Sequence, residues 1–422
     1  MIPRALARLR RLRLEPWQRN LYTIAIAEMI AILGFSVSNP FLPFYIQELG
    51  ITKLNEVAFW NGLINSAAPI AMALSSPIWG LIADRRGRKP MLVRAMLGGA
   101  IILGLIVLAR DVRQVAALKI LQGAVTGTIA AATALVATSV PRERCGFALG
   151  LLQTAVFVGS SLGPSVGGLI GGTYGYRAAF LGSSLLLIVA GVMVVLLVHE
   201  HFERPAPQAR QANPLAEAAG AIVHKRLLLI MIGLLVMTSF AGSVTWPVLP
   251  LFVQSLVGSA QAASTATGLI LGVTAAANAV AAIVVGRSAD AWGRRRVLLV
   301  CLGVGSLVYF PQMLVRGPMD LLVLRAIAGF ALGAVSPVAN AVVAEQAPEG
   351  RQGGVFGIST SLNALGSALG PVLGTWIVTT WSLGGVFPVT GVLLGAVVLM
   401  VVVGTSGVES ARRLPSARRG PT

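Results

Sequence analysis

The sequence predicts an all-α integral membrane protein of twelve transmembrane helices, arranged as two six-helix bundles related by a pseudo-twofold axis along the membrane normal. Three observations predict it. Apolar windows approaching the roughly 20 residues needed to cross about 30 Å of hydrocarbon recur along the whole chain. Of 422 residues, 55% are hydrophobic, 48 are glycine and only 11% are charged, against about 25% charged in soluble domains. The chain also superposes its punctuation on itself when shifted by 206 or 207 residues.

The spans are expected near 20–44, 57–82, 91–109, 113–138, 147–171, 178–198, 226–251, 265–287, 297–315, 320–343, 354–377 and 384–404. The one long polar connection, rich in Pro and charge, runs over 199–225. It divides the chain into an N-terminal six-helix half (1–198), a linker (199–225) and a C-terminal six-helix half (226–422). The run from Leu21 to Tyr45 is too long for the apolar core of a signal peptide, so it reads as the first helix. Cys145 and Cys301 lie near or within different spans and suggest no disulfide framework.

The net charge of +18 is unevenly placed. Lys and Arg cluster before the first span (Arg4 to Arg13), between spans 2 and 3, in the 6–7 and 8–9 connections, at Arg142, Arg144 and Arg351, and in the C-terminal tail. The opposite loops hold only Lys53, Arg110, Arg113, Arg177 and Arg316. By the positive-inside rule both termini are cytoplasmic, in an inner or plasma membrane. The basic N-terminus is a topology signal that also touches anionic lipid. A nucleic-acid surface needs a soluble basic domain, and the sequence offers none.

The repeat is specific. Gly34, Pro40 and Pro43 fall on Ala241, Pro247 and Pro250; Gly80, Asp84, Gly87 and Arg88 fall on Gly286, Asp290, Gly293 and Arg294. Lys119 and Gly123 fall on Arg325 and Gly329, Pro141 and Arg144 on Pro348 and Arg351. Gly159, Gly163 and Pro164 fall on Gly366, Gly370 and Pro371. Six spans per half give both halves the same orientation.

Four motifs carry chemistry. The link between spans 2 and 3 reads Gly80-Leu-Ile-Ala-Asp84-Arg85-Arg86-Gly87-Arg88-Lys89, with its echo at Gly286 to Arg296. Gly80 allows close helix approach and Gly87 a tight turn, while Asp84 at the membrane edge needs a cation or a helix N-terminus. Span 4 carries Lys119-Ile-Leu-Gln122-Gly123, about 10 Å below its outer edge. Lys119 reads either as a side chain snorkelling outward or as a cavity-facing cation that holds substrate or a carboxylate. Span 5 carries Gly159, Gly163, Pro164, Gly167 and Gly168, a flat groove for a neighbouring helix with a proline kink. Span 1 carries Gly34-Phe-Ser-Val-Ser-Asn39-Pro40-Phe-Leu-Pro43-Phe-Tyr45.

Together these motifs resemble those of the twelve-span drug:proton antiporter family of the major facilitator superfamily, across essentially the whole chain. The resemblance implies multidrug export driven by a proton gradient, without a cofactor, by a monomer. It also implies that Asp84 helps lock one state through contacts between halves, that the span-5 string is the antiporter motif, and that helices 1 and 4 line the cavity. The family normally has arginine where Lys119 stands, so that residue's role is not inherited outright.

Glu28 is the carboxylate placed furthest inside a span, about 12 Å from the expected edge of helix 1. It reads as the proton carrier or as an edge residue reaching cytoplasmic water, and a direct or water-bridged pair with Lys119 fits the difference in height. Asn39, Asn61, Asn65, Gln122, Arg325 and Trp246 are candidates for contact with substrate, with Asn278 and Asn340 beside them. For the asparagines, hydrogen bonds between helices are the competing reading; for Trp246 it is a place in the interfacial belt.

Membrane-embedded catalysis lacks its usual tools. Three histidines sit near one loop, and no His/Glu metal cluster, paired intraspan aspartates or P-loop is present. The partners expected are small-molecule substrate, protons and the bilayer. A drug, a sugar-like metabolite and a lipid all remain open as substrate, as do import and uniport. Where the repeat is imperfect, Glu28 falls on Leu235, Gln122 on Ala328 and Gly168 on Thr375. That asymmetry places energy coupling in the N-terminal half.

Overall fold

A computed structural model describes residues 15–141, 144–200, 220, 222–348 and 352–412. Among them are 12 helices long and apolar enough to cross a membrane. Spans 1 to 6 are Pro16–Glu48, Leu54–Ala83, Lys89–Val107, Val112–Ser139, Phe147–Tyr174 and Tyr176–Leu197. Spans 7 to 12 are Arg226–Val257, Ala260–Gly286, Arg294–Leu314, Pro318–Gln346, Val355–Thr380 and Val386–Gly404. Each expected span is present, most of them a few residues longer than hydropathy alone indicated.

Several spans are not single helices. Span 1 is helical over Pro16–Ser38, tightens to a 3-10 turn at Asn39–Phe41 and resumes at Leu42–Glu48. Pro40 and Pro43 each remove a backbone donor there and interrupt the regular ladder. Span 4 breaks between Val112–Val125 and Thr128–Ser139. The break is sharp because Thr126 is extended and Gly127 takes φ of 115°, a conformation open to glycine.

Two compact units result. The first is Met1–Pro207 with Gly258–Gly272, the second Gln208–Val257 with Val273–Thr422. The start of span 8, Gly258–Gly272, packs within the first unit. Gly268 lies where a Cβ on Gly168 would come within 2.8 Å of its Cα. Ser165 Oγ donates to the Gly268 carbonyl (3.2 Å), Ser264 Oγ to Gly168 (3.3 Å) and the Tyr176 hydroxyl to Ala260 (2.9 Å).

Inside the first unit, spans 1, 3, 4, 5 and 6 enclose a core that includes Ile24, Ala31, Met96, Leu135, Leu152 and Val194. Small residues bring backbones close, as expected where lipid removes most of the hydrophobic drive between helices. Gly159 sits against the Met29 carbonyl, Gly163 against Ser36 and Gly167 against the Val37 carbonyl. The second unit repeats this with span 7: Gly366 meets the Val236 carbonyl, Gly370 Ser243 and Gly374 the Val244 carbonyl. Each partner is the earlier residue shifted by 207. The span-5 groove is therefore scaffold in both units, and Gly168 is the glycine whose packing the second unit does not repeat.

Candidate functional site

The buried carboxyl group lies in the first unit. Glu28 is 0% exposed and about 18 Å along the helix from Pro16. Its Oε1 accepts a hydrogen bond from the Thr128 hydroxyl at 2.8 Å, and Oε2 is buried with no described partner. Thr128 is the first residue of the second segment of span 4. The break at Gly127 therefore does two things: it turns a hydroxyl toward Glu28 and starts a new helix beside it. A helix start carries unpaired N–H groups and the positive end of the peptide dipoles, an arrangement suited to an anion. Ile24, Ala27 and Ala31, its neighbours along span 1, belong to the buried apolar core of the unit.

Lys119 belongs to a different cluster. It is 4% exposed, so it does not snorkel. Its ammonium donates to Asn39 Oδ1 at 2.6 Å and lies 5.7 Å from the centre of the Phe180 ring. Asn39 is about 16 Å further along span 1 than Glu28. The direct pair between Lys119 and Glu28 is therefore not made: Lys119 donates to Asn39, and Glu28 has the Thr128 hydroxyl on one oxygen only. Gln122 is buried near them, and its carbonyl accepts the Thr126 amide and hydroxyl at the break.

Asn61 and Asn65 pair with each other. The Asn65 amide donates to the Asn61 carbonyl and to Asn61 Oδ1 at 2.8 and 2.9 Å. This is a bond within one helix, one turn apart, and it corrects the expectation of bonds between helices for that donor.

At the gate motif, Gly87 takes φ of 94° and ends the helix of span 2, and Gly293 takes φ of 89° at the matching turn. A Cβ on Gly80 would meet nothing within 4 Å, so the close approach expected there is not made. Arg85 is exposed, while the Arg88 guanidinium donates to the Ala134 carbonyl at 2.8 Å. Arg294 pairs with Glu345 at 2.6 Å. The side chains of Asp84 and Asp290 lie outside the described residues, as do Arg142 and Arg351.

A carboxylate that the motif reading missed faces a helix start here. Glu200 accepts the Arg88 amide (2.8 and 3.1 Å) and the Lys89 amide (2.8 Å), closing the N-terminus of span 3. Its neighbour His199 is held by Asn20, whose amide donates to the His199 carbonyl at 2.7 Å. The chain leaving span 6 is thus pinned to spans 1 and 3.

In the second unit Arg325 is 7% exposed. Its Nη1 donates to the Tyr309 hydroxyl at 3.4 Å, and its guanidinium lies 5.4 and 5.6 Å from the Tyr309 and Phe387 ring centres. Trp246 is 40% exposed at the end of the first segment of span 7. Among the described residues no group of His, Cys, Asp or Glu has the makings of a metal site.

What sequence reasoning missed was Thr128, because its link to Glu28 spans 100 residues and depends on a helix break. The Thr-Gly-Thr string at 126–128 was the available signal.

Comparisons with known proteins agree with this architecture. The family model described as Major Facilitator Superfamily matches residues 24–259 and 231–421. Multidrug resistance protein MdtG of Citrobacter koseri is 33% identical over 380 residues, covering 90% of this chain and 93% of that protein. The MdtG of Enterobacter lignolyticus is 32% identical over 378 residues, covering 90% of each. Among solved structures, the human organic anion transporter MFSD10 superposes with a TM-score of 0.68 at 18% identity, covering 92% of this chain and 100% of that one. A bacterial homolog of the human lysosomal transporter Spinster gives 0.67 at 15%, covering 95% and 98%.

Proposed function

The chain belongs to the major facilitator superfamily of secondary transporters, and from that premise we propose that it exports small amphipathic molecules in exchange for protons by alternating access. On this reading it sits in the cell membrane with both termini in the cytoplasm. Similarity to proteins named for multidrug resistance supports export of varied compounds.

One observation carries the coupling: Glu28 is fully buried in a span with one hydroxyl partner and one unpaired oxygen. A charged oxygen sealed from water without a donor is costly, and a proton removes that cost. Glu28 can therefore exist in two states that differ by one charge in a closed pocket. The carrier takes its proton on one side of the membrane and releases it on the other. Lys119 with Asn39 supplies a fixed cationic cluster in the same unit, and Gln122, Arg325, Trp246, Asn61 and Asn65 remain substrate-contact candidates. Asp84 and Asp290, with the flanking Gly and Arg residues, act as the gate motif, and Gly159 to Gly168 serve the antiporter motif. The protein works as a monomer without a cofactor.

The test is purified protein in liposomes under an imposed pH gradient, with a pH-sensitive dye trapped inside. Adding cationic or neutral amphiphiles should produce compound-dependent proton movement. Compound transport without proton movement would make the protein a uniporter.

A further inference from the structure

The break in span 4 is held from outside by one side chain. Ala124 is among the last four residues of Val112–Val125, so its carbonyl has no amide in its own helix. It accepts instead the indole N–H of Trp79 at 2.7 Å. Trp79 stands in span 2, one residue before Gly80 of the gate motif. Its ring carries the guanidinium of Arg94 of span 3 at 3.6 Å, a close cation–π stack. Arg94 has two buried nitrogens without a described partner, so the stack is its main described contact. One indole thus joins the two helices flanking the gate motif to the point where span 4 breaks.

The far side of that break holds Thr128, whose hydroxyl is the one described partner of Glu28. Side chains at the break are fitted against span 3: Cβ atoms on Gly98 and Gly99 would come within 2.6 Å of Val125 and 3.1 Å of Thr126. Among the described residues no charged group is paired with Glu28. Spans 5 and 6, which pack on span 1, carry ionisable groups only near their ends, at Arg144, Cys145 and Tyr174 and at Tyr176 and Arg177. Thr128–Ser139 carries none. The ionisable groups inside spans 3 and 4 are Arg94, on the indole, and Lys119, on Asn39.

We propose that Trp79 is a positioning residue for proton coupling: its hydrogen bond to Ala124 holds the span-4 break in the geometry that sets Thr128 against Glu28, so that movement of the gate helices alters the proton affinity of Glu28. This rests on the reading of Glu28 as proton carrier. The link is mechanical. A shift of spans 2 and 3 pulls the indole, the indole pulls the break, and the break withdraws or returns one hydroxyl.

The experiment needs no substrate. Purified full-length protein in lipid nanodiscs is titrated by infrared difference spectroscopy, and the Glu28 carboxyl band is identified by its loss in Glu28→Gln. Thr128→Val should move the midpoint of that band by about one pH unit, the equivalent of one lost hydrogen bond. Trp79→Phe keeps the ring and its stack but loses the N–H; it should move the midpoint in the same direction as Thr128→Val. Adding it to Thr128→Val should move the midpoint no further. Gly127→Ala, which strains the break by another route, should reproduce the shift. A wild-type midpoint in Trp79→Phe beside a shifted Thr128→Val would overturn the role of Trp79 and leave the carrier standing. A Glu28 band that does not titrate between about pH 4 and 10 would overturn the carrier itself, and this inference with it.

Discussion

The two units are built on one plan and differ where charge is buried. In both, three glycines of a proline-containing helix lie against consecutive turns of a partner helix, at positions matched by a shift of 207. In both, the fourth or tenth span carries a buried cation about 10 Å from its start. The first unit adds a carboxyl at Glu28, a left-handed Gly127 and a hydroxyl at Thr128. The second has Leu235, Gly333 and Ala334 at the matching places, with Gly333 at φ −62° and Ala334 at φ −88°. Span 10 is interrupted there without a reversal of the backbone. The shared plan therefore includes a buried cation but no buried carboxyl, and Glu28 with its broken span 4 is particular to the first unit.

The comparison breaks if the glycines are not equivalent. Gly167→Val and Gly374→Val should each destabilise the protein by about 3 kcal/mol, the upper end for overpacking, because a side chain there meets the Val37 or Val244 carbonyl rather than a movable group. Thermal unfolding in detergent would show it, and a large gap between the two would deny the shared plan.

The buried cations should differ in the other direction. Asn39→Ala leaves Lys119 without its 2.6 Å acceptor and should cost about 1–3 kcal/mol. Tyr309→Phe removes only a 3.4 Å bond from Arg325 and keeps the ring beneath it, so its cost should be below about 1 kcal/mol. Equal costs would mean that the two cations are held alike.

Gly127→Ala sharpens the contrast at the break. Nothing lies within 4 Å of the added Cβ, so its cost of about 1–2 kcal/mol comes from the left-handed backbone alone. Smaller still is Glu200→Gln. It keeps the shape of the group that closes span 3 but removes its charge, and should cost about 0.3–1 kcal/mol, more at low salt than at high. Salt independence would show that the charge contributes nothing there.

Much of the fold was legible in the sequence because lipid imposes it. Hydropathy gave all twelve spans, since a span must bury its backbone internally over a fixed thickness. The four-residue spacing of Gly159, Gly163 and Gly167 gave their groove for a neighbouring helix. The site was less legible. Glu28 stood out as an acid in an apolar run, but its partner did not, because a Thr-Gly-Thr string is unremarkable in a membrane helix rich in small residues. Height along the helix suggested that Lys119 would meet Glu28, yet height fixes only one coordinate, and Asn39 at the 3-10 turn of span 1 takes the ammonium instead. Glu200 at the start of span 3 was not legible either, because it lies 112 residues from Arg88 and is brought there by the exit from span 6.

The comparison of the units turns on whether Glu28 alone couples the proton. The direct measurement is compound-dependent proton movement by Glu28→Gln in liposomes under a pH gradient, run beside exchange of the same compound at equal pH on both sides. With coupling confined to the first unit, the variant loses proton movement by about 100-fold or more, the cost of removing one essential group worth about 3 kcal/mol, and keeps compound exchange. Full proton-coupled transport by Glu28→Gln would contradict it.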